Sequence, residues 1–539
     1  MEVKSLGDVH LQINEWLDRY NSAHVDVAGL LCDRHDPQRR ALNFESAAGR
    51  VESLTYGELA DKSRRFAHVL RGLGIEKGDR VALLLPKTPE LLIAAVALWR
   101  LGAVYIPLFT AFGPEAVEVR VEDSGAKVIL TDTANRPKLD GVRGRTIVNI
   151  DDRDGQGVGE DVPFHASLNR ADPLDENTKT DGKDMLVLLY TSGTTGQPKG
   201  VKVPVHALAT FESYMRFALD VREDDQFWNM ADPGWAYGLY YGILGPLLLG
   251  KTILYYQGAF DPAKAIDLMR RYEITNFASA PTAYRVFRSA HLGKPEGLKL
   301  RVASSAGEPL NPELYTWAKE TLGVELFDHF GQTELGMAIC NHHHPALSRP
   351  IKPGSMGQAM PGFRVVILDD QGNEQGDGVE GHLAIDRHAS PLCIFEEYYN
   401  APDRTADRLM HHGRYYLAGD NASRDHEGDY FFSGRGDDII LSAGYRIGPF
   451  EVESALVHHP AVAEAAVVGK PDELKGEIVK AHVVLKPGQA ATDALKEELS
   501  LFVKQKLAAH AYPRETVFVE QLPNTPSGKI QRFLLRAQA

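Results

Sequence analysis

The sequence predicts an α/β protein with a large multi-sheet N-terminal body and a small α+β C-terminal domain. Three observations carry that prediction. Apolar strand-like runs alternate with helix-like segments through the first third of the chain, the pattern of a mostly parallel sheet covered by helices on both faces. From about Pro361 the pattern becomes strand-rich, and near the C-terminus a fresh alternation of helices and strands begins.

The elements follow in order. Leu54 to Leu59 opens a helix, because Thr55 is a suitable N-cap and Glu58 stands three residues on, at capping-box spacing. That helix runs through Arg65 and Leu70 to a stop at Gly72 or Gly74. Asp79 to Pro86 reads as a buried strand, Glu90 to Leu101 as a helix, and Ala103 to Leu108 as the next strand. A polar stretch from Asp172 to Asp184 precedes the strand Met185 to Tyr190. Strands resume at Thr252 to Tyr256, Ile274 to Ala278 and Leu300 to Ser304, then at Arg364 to Leu368 and Gly381 to Ile385. The expected closing order is helix Phe450 to His458, strands Val462 to Val468 and Ile478 to Leu485, and helix Thr492 to Leu507. The body and the small domain should join at Gly434 to Asp438, dividing the chain into 1–434, a connection at 435–438, and 439–539.

Composition narrows the function classes. A chain of 539 residues should hold two to four folding units, and 43% hydrophobic residues suffice for a large core. The 59 Lys and Arg against 73 Asp and Glu leave a net charge of −14, which argues against bulk nucleic-acid or anionic-membrane binding. Three cysteines, Cys32, Cys340 and Cys393, make no disulfide framework and no metal-ligand spacing, so a reducing compartment is expected. The N-terminus has no signal-peptide pattern, and the most apolar stretch, Leu91 to Trp99, falls far short of the roughly 20 residues of a bilayer span. The expectation is a soluble, cytoplasmic protein.

The segment Tyr190-Thr191-Ser192-Gly193-Thr194-Thr195-Gly196-Gln197-Pro198-Lys199-Gly200 has the most chemistry in it. Its glycines permit φ > 0, so successive backbone N–H groups can converge on an anion, while the hydroxyls and Lys199 add hydrogen bonds and a positive charge. Nucleotide phosphate is the ligand that suits this set. A P-loop is excluded, since Gly-x-x-x-x-Gly-Lys-Ser/Thr is absent.

The same segment closely resembles the phosphate loop of the adenylate-forming superfamily, which includes acyl-CoA synthetases, peptide-synthetase adenylation domains and luciferases. Further motifs resemble that family's in its order: Ala306-Gly307-Glu308-Pro309-Leu310 its adenine-pocket motif, Asp328-His329-Phe330-Gly331-Gln332-Thr333-Glu334 its central Thr-Glu motif, and Tyr416-Leu417-Ala418-Gly419-Asp420 its ribose motif. Gly434-Arg435-Gly436-Asp437-Asp438 resembles its hinge, Ser442 to Ile447 the loop that follows, and Pro523 to Lys529 its catalytic-lysine loop. The resemblance covers nearly the whole chain. It implies an adenylating body with a mobile C-terminal domain, activating a carboxylic acid with ATP and transferring it to CoA. Carboxylate attack on the α-phosphate builds negative charge on phosphorus oxygens, so cations and donors do most of the catalysis.

By resemblance, Lys529 bridges the acyl carboxylate and the α-phosphate, and its acetylation would delete that charge. Thr333 bonds the α-phosphate, and Glu334 is a hard oxygen ligand for Mg²⁺, or alternatively a helix N-terminal acid stabilised by the dipole. Asp420 and Arg435 meet the ribose, Phe330 offers a face to adenine, the Gly307–Pro309 backbone offers an edge, and Arg446 completes the nucleotide set. Asp437 is the hinge about which the small domain turns.

The acyl pocket implied by the resemblance is lined by Trp235, Ala236, Tyr237, Gly238, Ala306 and Gly331. Acetate-specific relatives close the pocket with a tryptophan at the position of Gly331. A glycine there predicts an open channel and a short- to medium-chain acid, unless Tyr237, Tyr240 or Tyr241 refills the space. No basic residue stands in these segments, which disfavours a second carboxylate. CoA is expected to pass Gly444 and Ala280, with Lys504 near its phosphates. The alternatives are a ligase loading an acyl carrier protein or other acceptor, and an acetate-preferring synthetase. Three segments are decoys: Gly376-Asp377-Gly378-Val379-Glu380-Gly381 precedes a strand rather than a helix, and His342-His343-His344 and His411-His412 lack metal-ligand spacing.

Overall fold

The computed structural model describes residues 3–537 except 154, 156, 192–197, 292, 437, 443, 444, 473, 474, 508–510 and 525–529; of 441, 445 and 446 it describes the backbone alone. The described strands form four sheets, three of them in the body: a small one of Ile253–Gln257, Arg40–Ser46 and Val51–Thr55, and two large ones. The first large sheet has eight strands. Met185–Thr191, Val104–Pro107, Arg80–Leu84, Val128–Thr131, Thr146–Asn149 and Val162–Pro163 run parallel, while Lys199–Pro204 and Tyr398–Tyr399 add an antiparallel edge. The parallel strands are Val/Ile/Leu runs because both of their faces are covered. The helix Pro89–Arg100 explains the most apolar stretch: all twelve of its residues are buried, so it needs no polar face. No described helix is long and apolar enough to cross a membrane.

The second large sheet has eleven strands and changes character along its width. Phe227–Asn229, Asn276–Ser279, Val302–Ala306 and Leu326–Gln332 are parallel. Beyond the tight turn that follows Gln332, the pairings become antiparallel through Gly336–Cys340, Ser355–Ala359, Tyr430–Arg435, Tyr415–Arg424, Gly381–Asp386 and Val365–Leu368. This is the strand-rich region expected after Pro361.

Local signals hold where they are strong. Thr55 caps the helix Tyr56–Gly72, with both capping-box hydrogen bonds made. The last sheet pairs Tyr445–Ile447, Ile440–Ser442, Gly476–Leu485, Val462–Asp472 and Glu515–Phe518. It closes a separate apolar core of Val452, Leu456, Val467, Val479, Leu499 and Val503 under the helices Pro449–Val457 and Asp493–Lys506. One alternative is corrected: Glu334 is not at a helix N-terminus but in the turn between Leu326–Gln332 and Gly336–Cys340.

Candidate active site

The candidate residues follow the carboxyl ends of the parallel strands. In the eleven-stranded sheet, Asn229 leads into the 230–238 segment, Ser279 into Ala280, Ala306 into Gly307-Glu308-Pro309, and Gln332 into Thr333-Glu334. In the eight-stranded sheet, Thr191 leads into 192–197, and Lys199 returns opposite Thr191 in the antiparallel register. Open α/β sheets bind ligands at such ends, where strand direction or order switches. Ser192, Gly193, Thr194, Thr195, Gly196, Asp437, Gly444 and Lys529 lie outside the described residues, as does the Arg446 side chain.

Buried hydroxyls hold the two sheets together at the Thr-Glu turn. Tyr398, on the edge of the eight-stranded sheet, donates to Glu334 Oε1 at 2.7 Å. The Lys199 ammonium lies 5.2 Å from the centroid of the same ring. Burial pulls the Lys199 pKa down, as do Arg408 and Arg404, against the attraction of Glu334. Tyr240 donates to the Thr333 carbonyl at 3.0 Å, and the Tyr241 hydroxyl accepts from Met337 N at 3.0 Å. Tyr416 donates to Gln332 Oε1 at 2.9 Å, while Gln332 Nε2 donates to Ala418 O at 2.8 Å and to Asp420 Oδ2 at 2.7 Å. Asp420 pairs with Arg435 across neighbouring strands. The geometry therefore joins Lys199, Glu334, Gln332, Asp420 and Arg435 into one connected frame. Tyr416, the first residue of the ribose-like motif, belongs to it, and so do Tyr398, Arg404 and Arg408, which no sequence motif marked.

Three candidates prove to be differently engaged. His329 has no ring nitrogen to spare: Tyr214 donates to Nδ1 at 2.7 Å, and Nε2 donates to the Asn341 carbonyl at 2.8 Å. Burial pulls its pKa down to about 3, so it is neutral, and a ligand could meet only its backbone. Asp328 is buried with Oδ1 unpartnered, and burial raises its carboxyl well above the usual carboxylate range. A neutral buried acid with an unused oxygen suits a polar ligand edge. Glu308 accepts from Thr282 Oγ1 at 2.7 Å and from Arg285 Nη2 at 2.6 Å. That ties the Gly307-Glu308-Pro309 turn to the helix Pro281–Ser289, which begins just after Ala280. Phe330 is half-buried and packs against the body core.

The surroundings of Gly331 bear on the acyl-pocket expectation. A Cβ there would overlap the Gly336 carbonyl oxygen and crowd Met337 Sδ and Cα, at 2.6 and 2.8 Å. With this backbone the close approach of the two hairpin strands favours a glycine, which gives Gly331 a packing role beside the channel role expected of it. Ala306 has no exposed surface. Trp235 packs against Phe109 and Phe112, at centroid distances of 5.2 and 5.8 Å. Tyr240 and Tyr241 are fully buried behind the Thr-Glu turn, whereas Tyr237 is half-buried with its hydroxyl buried and unpartnered. The segment Ala231–Gly238 folds back on itself, so that a Cβ at Gly238 would overlap the Asp232 carbonyl. A basic residue does reach this segment from elsewhere: Lys87 Nζ donates to Met230 O at 2.7 Å, and burial pulls its pKa down.

The remaining features are quickly placed. Lys504 is exposed on the helix Asp493–Lys506 with its ammonium 5.5 Å from the centre of the Tyr512 ring, which Arg514 also approaches, at 4.2 Å. His343 stacks on Phe327 at 3.7 Å and His342 is buried, so the triple histidine is packing. Among the described residues the one acidic cluster spaced for a metal is Asp425, Glu427 and Asp429, and the Lys352 ammonium bonds all three.

Known proteins are similar to this chain in sequence and fold. Residues 32–399 match the model of the AMP-binding enzyme family, and 451–529 that of the AMP-binding enzyme C-terminal domain. The chain is 40% identical over 518 residues to the acetyl-coenzyme A synthetase of Bacillus subtilis, across 94% of this chain and 89% of that one. It is 38% identical over 501 residues to the mitochondrial acyl-coenzyme A synthetase ACSM3 of Mus musculus, across 89% and 83%. Among solved structures, an acyl-CoA synthetase of Brucella canis superposes with a TM-score of 0.77 at 45% identity over 99% of both chains. An anthranilate CoA ligase solved with anthranoyl-AMP gives 0.85 at 28% identity, covering 96% of this chain and 97% of that one.

Proposed function

The chain belongs to the AMP-binding enzyme family and is an ATP-dependent, AMP-forming acyl-CoA synthetase, and from that premise we propose how its residues share the reaction and which acid it takes. ATP and CoA are its co-substrates. The observation that carries the assignment of roles is the frame in which Tyr398 joins Lys199 to Glu334 and Gln332 joins the Thr-Glu turn to Asp420.

In this reading the acid's carboxylate oxygen attacks the α-phosphorus of ATP, a P–O bond forms, and the bond to pyrophosphate breaks. Residues 191–196, Lys199 and Thr333 hold the phosphates with N–H, O–H and ammonium donors, and Lys529 stabilises the charge between carboxylate and α-phosphate. Asp420 and Arg435 hold the ribose. Asp328 and the Gly307-Glu308-Pro309 turn meet the base edge, and Phe330 meets its face. Arg446 completes the nucleotide set. Mg²⁺ fits one residue of this frame: the Glu334 carboxylate is a hard oxygen donor, nearly buried and fixed by Tyr398. When bound, the ion would neutralise phosphate charge.

The CoA thiol then attacks the acyl-adenylate carbonyl and AMP leaves. For that step the part after 438 turns about Asp437, removing Lys529 and bringing in Gly444, with Ala280 and Lys504 along the CoA path. Acetylation of Lys529 would remove its charge and stop the first step only.

The acid is a short- to medium-chain carboxylate, supported by the small side chain of Ala306 and by the half-buried Trp235 and Tyr237 beside it in the expected pocket lining. An acetate-preferring reading is favoured by two observations: Gly331 is explained by hairpin packing, and Tyr240 and Tyr241 fill the space behind the turn. Pyrophosphate release measured over an acid panel from acetate to octanoate, with and without CoA, decides between them. The first reading expects kcat/KM to rise about fourfold per added methylene until the pocket ends. Highest kcat/KM for acetate would overturn it.

A further inference from the structure

Outside the nucleotide frame, a buried charge cluster lies where the C-terminal helix meets the inter-domain connection. Glu453, on the helix Pro449–Val457, takes Arg532 in a fork: Nη2 lies 2.7 Å from each carboxylate oxygen, and Nε lies 3.2 Å from Oε1. The same Oε1 accepts from Val467 N at 2.8 Å, fixing the glutamate to the strand Val462–Asp472. On its other side Arg532 Nη1 lies 3.5 Å from Asp438 Oδ2, and Arg536 Nη1 donates to Asp438 Oδ1 at 2.7 Å. Side-chain exposure is 8% for Glu453 and for Asp438, and 19% for Arg532. Two buried carboxylates thus face two part-exposed guanidiniums, 19% exposed for Arg532 and 35% for Arg536, and losing both partners would strand a buried carboxylate.

The position of this cluster is what gives it meaning. Arg532 comes three residues after Lys529, and the intervening chain returns to the domain through an Asn524–Ile530 bridge and the bond from Gln531 N to Pro523 O at 2.8 Å. Leu535 on the same short helix packs with Ala466, Val468 and Leu522. At the other end Asp438 directly follows Asp437, and its backbone N–H bonds the Arg435 carbonyl at 3.0 Å. One guanidinium therefore spans from the root of the lysine loop, through the domain's core helix, to the first residue beyond the pivot.

We propose that Arg532 is a positioning residue for the adenylation step: clamped between Glu453 and Asp438, it sets where the Lys529 loop stands relative to the connection, so that rotation delivers the lysine to one place. This rests on the reading of Lys529 and Asp437 given above. The clamp touches no substrate, so its loss should lower the rate of adenylation without weakening ATP binding. The expected size follows from geometry, since displacing a catalytic group by about 1 Å costs about 10²-fold.

The test uses the full-length enzyme and a double variant, Arg532→Gln with Glu453→Gln, which removes both charges and strands neither. Acid-dependent ATP–pyrophosphate exchange should fall about 10²-fold in kcat with ATP KM changed less than about threefold. Thioester formation from preformed acyl-AMP and CoA should change less than about threefold. Arg532→Lys, which keeps the charge but loses the fork, should fall between. A folded double variant with normal exchange, or with both half-reactions reduced alike, overturns the proposal. Should the double variant not fold, Asp438→Asn carries the same expectation at about tenfold, and equal effects on both half-reactions overturn it there. Lys529→Ala separates the two levels: if it leaves exchange intact, the parent reading fails; if it abolishes exchange while the clamp variants do not, only the clamp fails.

Discussion

The Thr-Glu turn and the C-terminal unit are held in opposite ways. The turn is fixed from every side by neutral, buried hydroxyls: Tyr240 and Tyr241 behind it, Tyr398 on Glu334 and Tyr416 on Gln332. The C-terminal unit has its own core, and its sequence neighbours at the connection are organised by charge, with Asp438 and Glu453 set against Arg532 and Arg536. The difference teaches what each part has to do. A site that must present oxygen and ammonium groups to a phosphate gains from a frame that cannot move. In the proposed reaction the C-terminal unit serves two chemical steps, which asks it to be rigid within itself and to pivot at its edge.

The largest expected effect tests the moving half. Lys529→Ala should slow adenylation on the order of 10²–10³-fold while leaving thioester formation from preformed acyl-AMP close to normal. Measured half-reactions that fall together would erase the contrast. Asp437→Pro should do the reverse, because proline fixes φ near −65° and removes a donor. Thioester formation should drop about tenfold or more with adenylation largely kept; a parallel fall would make the residue simply structural.

The next two act on the fixed half. Gly331→Ala forces a methyl against Gly336 and Met337, and overpacking of this kind costs about 1–3 kcal/mol. Urea unfolding should show that loss with the acid preference of the folded fraction unchanged. Full stability together with a shortened chain-length preference would restore Gly331 as a channel wall. The smallest effect is that of Tyr398→Phe. Losing one hydrogen bond to Glu334 should cost about 1 kcal/mol, or about fivefold in adenylation kcat/KM, with the thioester step untouched. No change would mean that the hydroxyls do not hold the acid.

Much of this was legible from residue patterns. The capping box at Thr55 and Glu58, the apolar strand before Thr191 and the order of the motifs each depend on a few adjacent residues, so short-range rules suffice. Gly331 shows where such rules fail. Its environment is made by Gly336 and Met337 across a hairpin, and a sequence reading could only compare it with a missing tryptophan. Glu334 similarly suggested a helix start, because a single acid after a threonine carries no mark of the antiparallel strand that follows.

The sequence by itself determined the strand–helix order, the family to which the motifs point, and the list of donors, acids and lysines that could handle a carboxylate and a nucleotide. These are local properties, written in residue type and spacing. Only the tertiary structure decided that Tyr398 meets Glu334 from the other sheet, that His329 has no free nitrogen, that Lys87 reaches Met230, and that Arg532 spans Glu453 and Asp438. Those partners stand 64, 115, 143 and up to 94 residues apart along the chain. Contacts at such separations are fixed by how sheets and helices pack, and packing depends on the whole core at once.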